Sequence, residues 1–169
     1  MGDVPADFLE FAHARSDQLY RTACLLTGDR HLAEDLVQET LAKMFRSWRR
    51  IDRTEAPIAY AHTVLVRTFT SYRRRRSAQE RPVDRLPDDR VSVGDGDPEL
   101  RLTLLDGLAQ LAPKDRAVLV LRYWDDRPVE ETARMLKLSQ GAVRTRSLRA
   151  LQKLRLVLGD ALLADLVQA

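Results

Sequence analysis

One stretch limits how this chain can fold. Residues 78–98 hold three Pro (Pro82, Pro87 and Pro98), two Gly and five Asp. Such a segment buries too little apolar surface to offset an ordering entropy of about 1–2 kcal/mol per residue. It reads as a flexible acidic tether, so any core must be built separately on either side of it. On both sides apolar residues recur at three- and four-residue steps, and the alternation of a strand is nearly absent. The expected fold is all-α: two small helical domains, an N-terminal helical bundle over 7–77 and a C-terminal helix-turn-helix over 99–158. A flexible acidic linker over 78–98 joins them, and the two units are expected to fold independently.

In the first unit the periodicity predicts helices over 7–26, 30–48 and 58–76. Thr27-Gly28-Asp29 breaks the first from the second. Ala33, Val37, Leu41, Met44 and Trp48 share one face of the second helix. Asp35, Gln38, Glu39, Ala42 and Arg46 lie opposite. Arg49–Pro57 reads as a polar loop. The third helix sets Ile58, His62, Leu65 and Phe69 against Tyr60, Thr63, Arg67, Thr70, Ser71 and Arg74.

In the second unit, helices are expected over Glu99–Leu111, Pro113–Trp124, Pro128–Leu136 and about 140–158. Pro128 suits a first helical turn. Lys137-Leu138-Ser139 is the turn, and Ser139 is a good N-cap. Val143, Ala150, Leu151, Leu154 and Leu158 form the inner stripe of the last helix. Arg144, Thr145, Leu148, Arg149 and Gln152 point away from it. A small rotation would instead put Leu148 in the core and Ser147 outside.

Charge is distributed unevenly. The net of +3 divides into blocks: 46–76 has nine basic and two acidic groups, and 127–156 has eight and two. Residues 1–45 have four and eight, and 77–126 have seven and eleven. Two basic blocks separated by an acidic stretch suggest two contacts with a polyanion. A helix lodged in a major groove needs early outward residues that reach base edges and flanking basic groups that hold phosphates.

Other classes find little support. One Cys excludes a disulfide framework within the chain and a Cys-based zinc finger. His13, His31 and His62 lack metal-ligand spacing, and no Gly-rich phosphate loop, nucleophile elbow or paired-carboxylate motif occurs. No enzyme activity, cofactor or metal is expected. Cys24 reads as a small core residue. No apolar run approaches ~18 residues, so no membrane-spanning helix is expected. Met1–Phe11 is acidic where a signal peptide is basic, and the expected location is the cytoplasm.

Several ordered motifs carry a resemblance to a known family. Ala33-Glu34-Asp35-Leu36-Val37-Gln38-Glu39-Thr40 resembles the core-binding motif of bacterial sigma factors. Pro57-Ile58-Ala59-Tyr60, Val64-Leu65-Val66-Arg67 and Arg73–Arg76 resemble their promoter-melting helix. Leu111–Arg116, Leu119–Tyr123, Glu130-Glu131-Thr132-Ala133 and Ser139–Arg144 resemble their region-four domain. With two such domains and a short linker, the chain looks like the extracytoplasmic-function group. It departs from the common pattern in having Tyr60 where Trp is frequent, in lacking an Asn close to Arg67, and in the order Ser147-Leu148.

The resemblance implies a transcription initiation factor that binds core RNA polymerase and recognises −35 and −10 elements. Asp35, Gln38, Glu39 and Arg46 would dock on the clamp helices of the largest polymerase subunit. The second unit would meet the flap of the second-largest subunit. Arg49, Arg50, Arg53, Tyr60, Thr63, Arg67, Ser71 and Arg74 would take the −10 element and its non-template single strand. The loop at 49–56 would capture a flipped base, while Tyr60 either stacks on a base or packs against that loop. Gln140, Arg144, Thr145, Arg146, Leu148, Arg149 and Lys153 would meet the −35 duplex. The acidic tether would thread the RNA exit path or act as a plain spacer. An anti-sigma protein is a further possible partner, and no membrane partner is implied. From the residues alone, a dimeric regulator and a helical interaction module remain rivals. The first would need palindromic sites and leaves the acidic helix idle, and the second leaves the basic blocks unexplained.

Overall fold

A computed structural model of the chain describes residues 4–51, 56–78, 97–160 and 163. Among them every regular element is helical. Three long helices make the first unit: α1 (Ala6–Thr27), α2 (Arg30–Ile51) and α3 (Pro57–Ala78). The second unit contains α4 (Pro98–Ala109), α5 (Pro113–Leu119), α6 (Val129–Leu136) and α7 (Gln140–Leu158). A π-helical turn, Val120–Trp124, continues α5. The reading of 78–98 as a tether falls almost wholly on residues outside those described.

Local chemistry sets the boundaries. Gly28 ends α1 at φ 64, a left-handed position that glycine adopts without a Cβ penalty, and its N–H donates to the Cys24 carbonyl. Asp29 then accepts from the Leu32 N–H at 2.9 Å and opens α2. Asp97 caps α4 in the same way, accepting from the Glu99 N–H. Pro128 is the residue before α6 rather than its first helical residue, with ψ at 159. α6 closes in a Schellman arrangement: Lys137 is left-handed, and the Leu138 N–H reaches the Ala133 carbonyl at 2.9 Å. Ser139 accepts from the Ala142 N–H at 3.0 Å and starts α7. The expected turn Lys137-Leu138-Ser139 is thus built from one C-terminal cap and one N-cap.

Within the first unit, Trp48 meets Phe8 edge-on at 5.2 Å and Phe11 at 5.1 Å, pinning α1 on α2. Ile51 is buried, three residues beyond Trp48 on the same stripe. That burial carries α2 past the expected end at 48, so Arg49 and Arg50 belong to its last helical turn rather than to a loop. In the second unit Leu108, Val118, Leu119, Leu121, Val143, Ala150 and Leu154 are buried. Leu151 is only half-buried.

The two units do not stand apart. α1 packs on α4, α5 and the π turn, and α3 packs on α5 and α6. The buried apolar residues form one continuous cluster across both units. The expectation of independent folding meets a shared core, which periodicity within either unit does not reveal.

Cys24 lies in this core. Burial pushes its thiol up from 9.0 to about 11, and Tyr20 beside it is raised to about 12, chiefly by burial and then by its hydrogen bond with Cys24. A folded-state value above the unfolded one favours the neutral thiol. The stabilisation is complete below about pH 9 and is lost as pH rises from about 9 towards 11. Denaturant midpoints should therefore fall across that window, and less so in Cys24→Ala. A thiol reagent at pH 8 should label the native protein far more slowly than the unfolded chain. Equal labelling rates would contradict the buried placement.

Candidate nucleic-acid and protein interfaces

The stripe that α2 commits to the core dictates what its other face offers. Ala33, Leu36, Val37, Thr40, Met44 and Trp48 are buried, and Asp35, Gln38, Glu39 and Arg46 are exposed as expected. Asp35 and Glu39 stand one turn apart on the rim of a cleft of about 190 Å³. Leu32 and Leu36 of α2 and Thr68, Phe69, Tyr72 and Arg73 of α3 complete its lining, with Thr27. Glu39 pairs with Lys43 at 2.8 Å, and the Lys43 ammonium also donates to the Thr68 hydroxyl at 2.9 Å. These contacts tie the acidic face of α2 to α3. The surface is an acidic rim around apolar side chains, suited to a partner helix with basic and apolar groups. Sequence reasoning missed Leu32, Tyr72 and Arg73; Tyr72 follows Phe69 at the helical spacing of three and was detectable on that ground.

On α3, Tyr60 and Arg74 are exposed, and Thr63 and Ser71 are half-buried. The Thr63 hydroxyl donates to the Ala59 carbonyl of its own helix. Arg49 and Arg50 are exposed at the C-terminus of α2, where the helix dipole favours cations. Arg53 lies outside the described residues. Arg67 is engaged by the other unit. Its Nε donates to the Met135 carbonyl at 2.8 Å and its Nη2 to the Arg134 carbonyl at 3.1 Å. Tyr60, Thr63 and Arg67 consequently line a cleft between units, closed on the far side by Glu131, Arg134 and Met135.

The outward face of α7 is unobstructed. Gln140, Arg144, Thr145, Leu148, Arg149 and Lys153 are exposed, and Leu148 is 62% exposed. Ser147 is buried, so the rotation that would bring Leu148 into the core does not occur. Arg144 reaches back to Gln140 at 3.4 Å. Arg146 is set apart from this group. It is half-buried and donates to Asp115 of α5 at 2.6 Å, and Asp115 is only 4% exposed. That pair anchors α7 on α5. Removing one partner of a largely buried pair strands the other. Arg146→Ala should cost about 1–3 kcal/mol, less than for a fully enclosed pair because Arg146 keeps water contact. Arg149→Ala should cost under about 0.5 kcal/mol. Thermal melts that rank the two variants equally would contradict the assignment.

Among the described residues no cluster of His, Cys, Asp and Glu is arranged to hold a metal, and no helix is long and apolar enough to cross a membrane.

Comparison with known proteins matches both units. The family described as Sigma-70 region 2 matches residues 11–79, and Sigma-70, region 4 matches residues 107–156. The RNA polymerase sigma-E factor of Streptomyces coelicolor is 37% identical over 155 residues, covering 92% of this chain and 87% of that one. The ECF RNA polymerase sigma factor SigL of Mycobacterium tuberculosis is 34% identical over 149 residues, covering 84% and 83%. Among solved structures, the sigma factor RpoE in complex with the anti-sigma factor NepR from Bartonella quintana superposes with a TM-score of 0.74. The likeness is at 22% identity over 91% of this chain and 98% of that one. CnrH, in complex with the cytosolic domain of CnrY, gives 0.63 at 22% identity over 89% and 86%. At that identity the two structures speak to the fold.

Proposed function

The chain belongs to the extracytoplasmic-function group of the sigma-70 family, and from that membership we propose how its residues divide the work. It is a transcription initiation factor that binds core RNA polymerase and directs it to promoters through their −35 and −10 elements. The working units are 7–77 and 99–158, with 78–98 between them. It acts in the cytoplasm and makes no covalent change in a substrate. An anti-sigma protein is a further partner in this reading, as NepR is for RpoE of Bartonella quintana.

The exposed acidic face of α2, Asp35, Gln38 and Glu39 with Arg46, docks on the clamp helices of the largest polymerase subunit. The second unit meets the flap of the second-largest subunit. What supports the first assignment is the cleft between α2 and α3, whose acidic rim and apolar lining fit a basic, amphipathic helix. Replacing Asp35, Gln38 and Glu39 together by Ala should leave the helical circular dichroism intact and abolish binding to core polymerase. Wild-type affinity in that variant would overturn the assignment.

The observation that carries the promoter reading is the face of α7. A Schellman turn and a serine cap fix its start, Ser147 fixes its rotation, and the exposed side chains follow from Gln140 to Lys153. Arg144 and Arg149 read −35 base edges, where a bidentate arginine on guanine discriminates by ~1–3 kcal/mol. Leu148 offers apolar contact to a thymine methyl. Arg146, paired with Asp115, holds the helix in place rather than reading bases. On −35 duplexes with single base changes, Arg144→Ala and Arg149→Ala should each flatten the preference at one or two positions. A uniform loss of affinity across all sequences would make them phosphate anchors instead.

At the −10 element, Arg49, Arg50, Arg53, Ser71 and Arg74 hold the backbone, while Tyr60, Thr63 and Arg67 take the separated non-template strand. Tyr60 supplies a stacking surface, which offsets part of the unstacking cost of a few kcal/mol per flipped base. Arg67→Ala should slow open-complex formation on duplex promoters more than on a pre-melted bubble. Equal loss on both templates would leave Arg67 as a phosphate anchor or a structural residue.

A further inference from the structure

We infer that the contact between the two units is an autoinhibitory latch, in which Asp125 holds the chain closed over the side chains that engage the separated −10 strand. The inference rests on the promoter reading of Tyr60, Thr63 and Arg67 given above. It adds that the free protein withholds these residues until the units part.

The chain builds the latch with some local strain. The π turn inserts an extra residue after α5, a device that recurs at functional positions. Asp126 follows at φ 53, a left-handed conformation uncommon outside glycine although tolerated by Asp. Between them, these features turn the Asp125 carboxylate out of its own unit towards α1 and α3. Its Oδ1 accepts from the Thr22 hydroxyl of α1 at 2.9 Å, and its Oδ2 meets His62 Nδ1 of α3 at 2.6 Å. His62 is fully buried and the Asp125 side chain is 9% exposed. Both oxygens are thus spent on the other unit, within a core that excludes water. No residue with a role in polymerase or promoter contact requires that placement.

What the latch covers follows from the same packing. With Asp125 seated on α1 and α3, α6 lies against α3, and Arg67 donates to its last carbonyls. Those donors are the ones a phosphate would use. The face of α7 and the acidic face of α2 stay exposed in the closed state. Docking on polymerase and reading of the −35 duplex are therefore compatible with closure, and capture of the −10 strand is not. Strand capture must work against the closing equilibrium, and the apparent affinity falls by the fraction of molecules that are open.

Asp125 lies outside every surface assigned to polymerase or DNA, so its removal separates the latch from the machinery. In Asp125→Ala, closure would leave the His62 and Thr22 groups buried without their partner, whereas opening hydrates them. The full-length free variant should keep its helical circular dichroism and show a larger radius of gyration by small-angle scattering. With core polymerase and duplex promoter, the concentration needed for half-maximal open complexes should fall about tenfold. Asp125→Asn, which retains one acceptor, should lie between wild type and Asp125→Ala and covers the case where the Ala variant misfolds. An unchanged radius of gyration in both variants would overturn the latch. Expansion without a shift in the open-complex midpoint would overturn its role in withholding strand capture. The scattering measurement needs neither polymerase nor DNA. If wild type forms no promoter complex at all, the promoter reading falls and scattering alone decides the latch.

Discussion

Two arginines cross between the units in opposite directions, and each ends on a helix terminus. Arg116 of α5 is 2% exposed, and its Nε donates to the Leu25 carbonyl at 2.7 Å. Arg67 of α3 makes the corresponding contact with the end of α6. The last four carbonyls of a helix have no partner within it, and the dipole there favours a cation. Each unit therefore satisfies a polar deficit in the other, in places where hydration would otherwise be needed. A buried guanidinium without such a partner would be strongly destabilising. The shared apolar core can close over these contacts because the charge is met.

The arrangement explains why the functional surfaces are unequal in the closed molecule. α2 and α7 each commit one stripe to the core and keep the opposite face in water. α3 commits two faces: one to α1 and α2 through Leu65, Phe69 and their neighbours, the other partly to α5 and α6. The helix with the most to do in strand separation is thus the one whose outward face the second unit meets. The region 2 and region 4 matches fall on opposite sides of this contact.

Much of this was legible in the sequence, for local reasons. The stripe Ala33–Val37–Met44–Trp48 follows from spacing, and the turn Lys137-Leu138-Ser139 from capping chemistry. The face carrying Arg144, Leu148 and Arg149 follows from the stripe behind it. Ser147 against Leu148 was ambiguous because a serine hydroxyl and a leucine on adjacent positions fit either rotation; packing decides it. The misses are non-local. Arg67, Arg116 and Arg146 looked alike as basic groups, yet their partners lie 68, 91 and 31 residues away. His62 read as a core residue, and its link to Asp125 spans 63 positions with no periodic signal. The extension of α2 to Ile51 was detectable, because Ile51 continues the stripe by three residues, but the flanking charges hid it.

The central claim is that the free molecule is closed and that promoter opening requires the units to separate. Nitroxide labels at Ala14 of α1 and Gln110 beside α4, both exposed, report that separation directly. The buried Cys24 should take up little label at neutral pH. In the free protein the pair should give one short, narrow distance distribution by pulsed electron resonance. In the open complex with core polymerase and promoter the distribution should move to a longer distance. The same short distribution in the open complex, or a broad one in the free protein, would contradict the account.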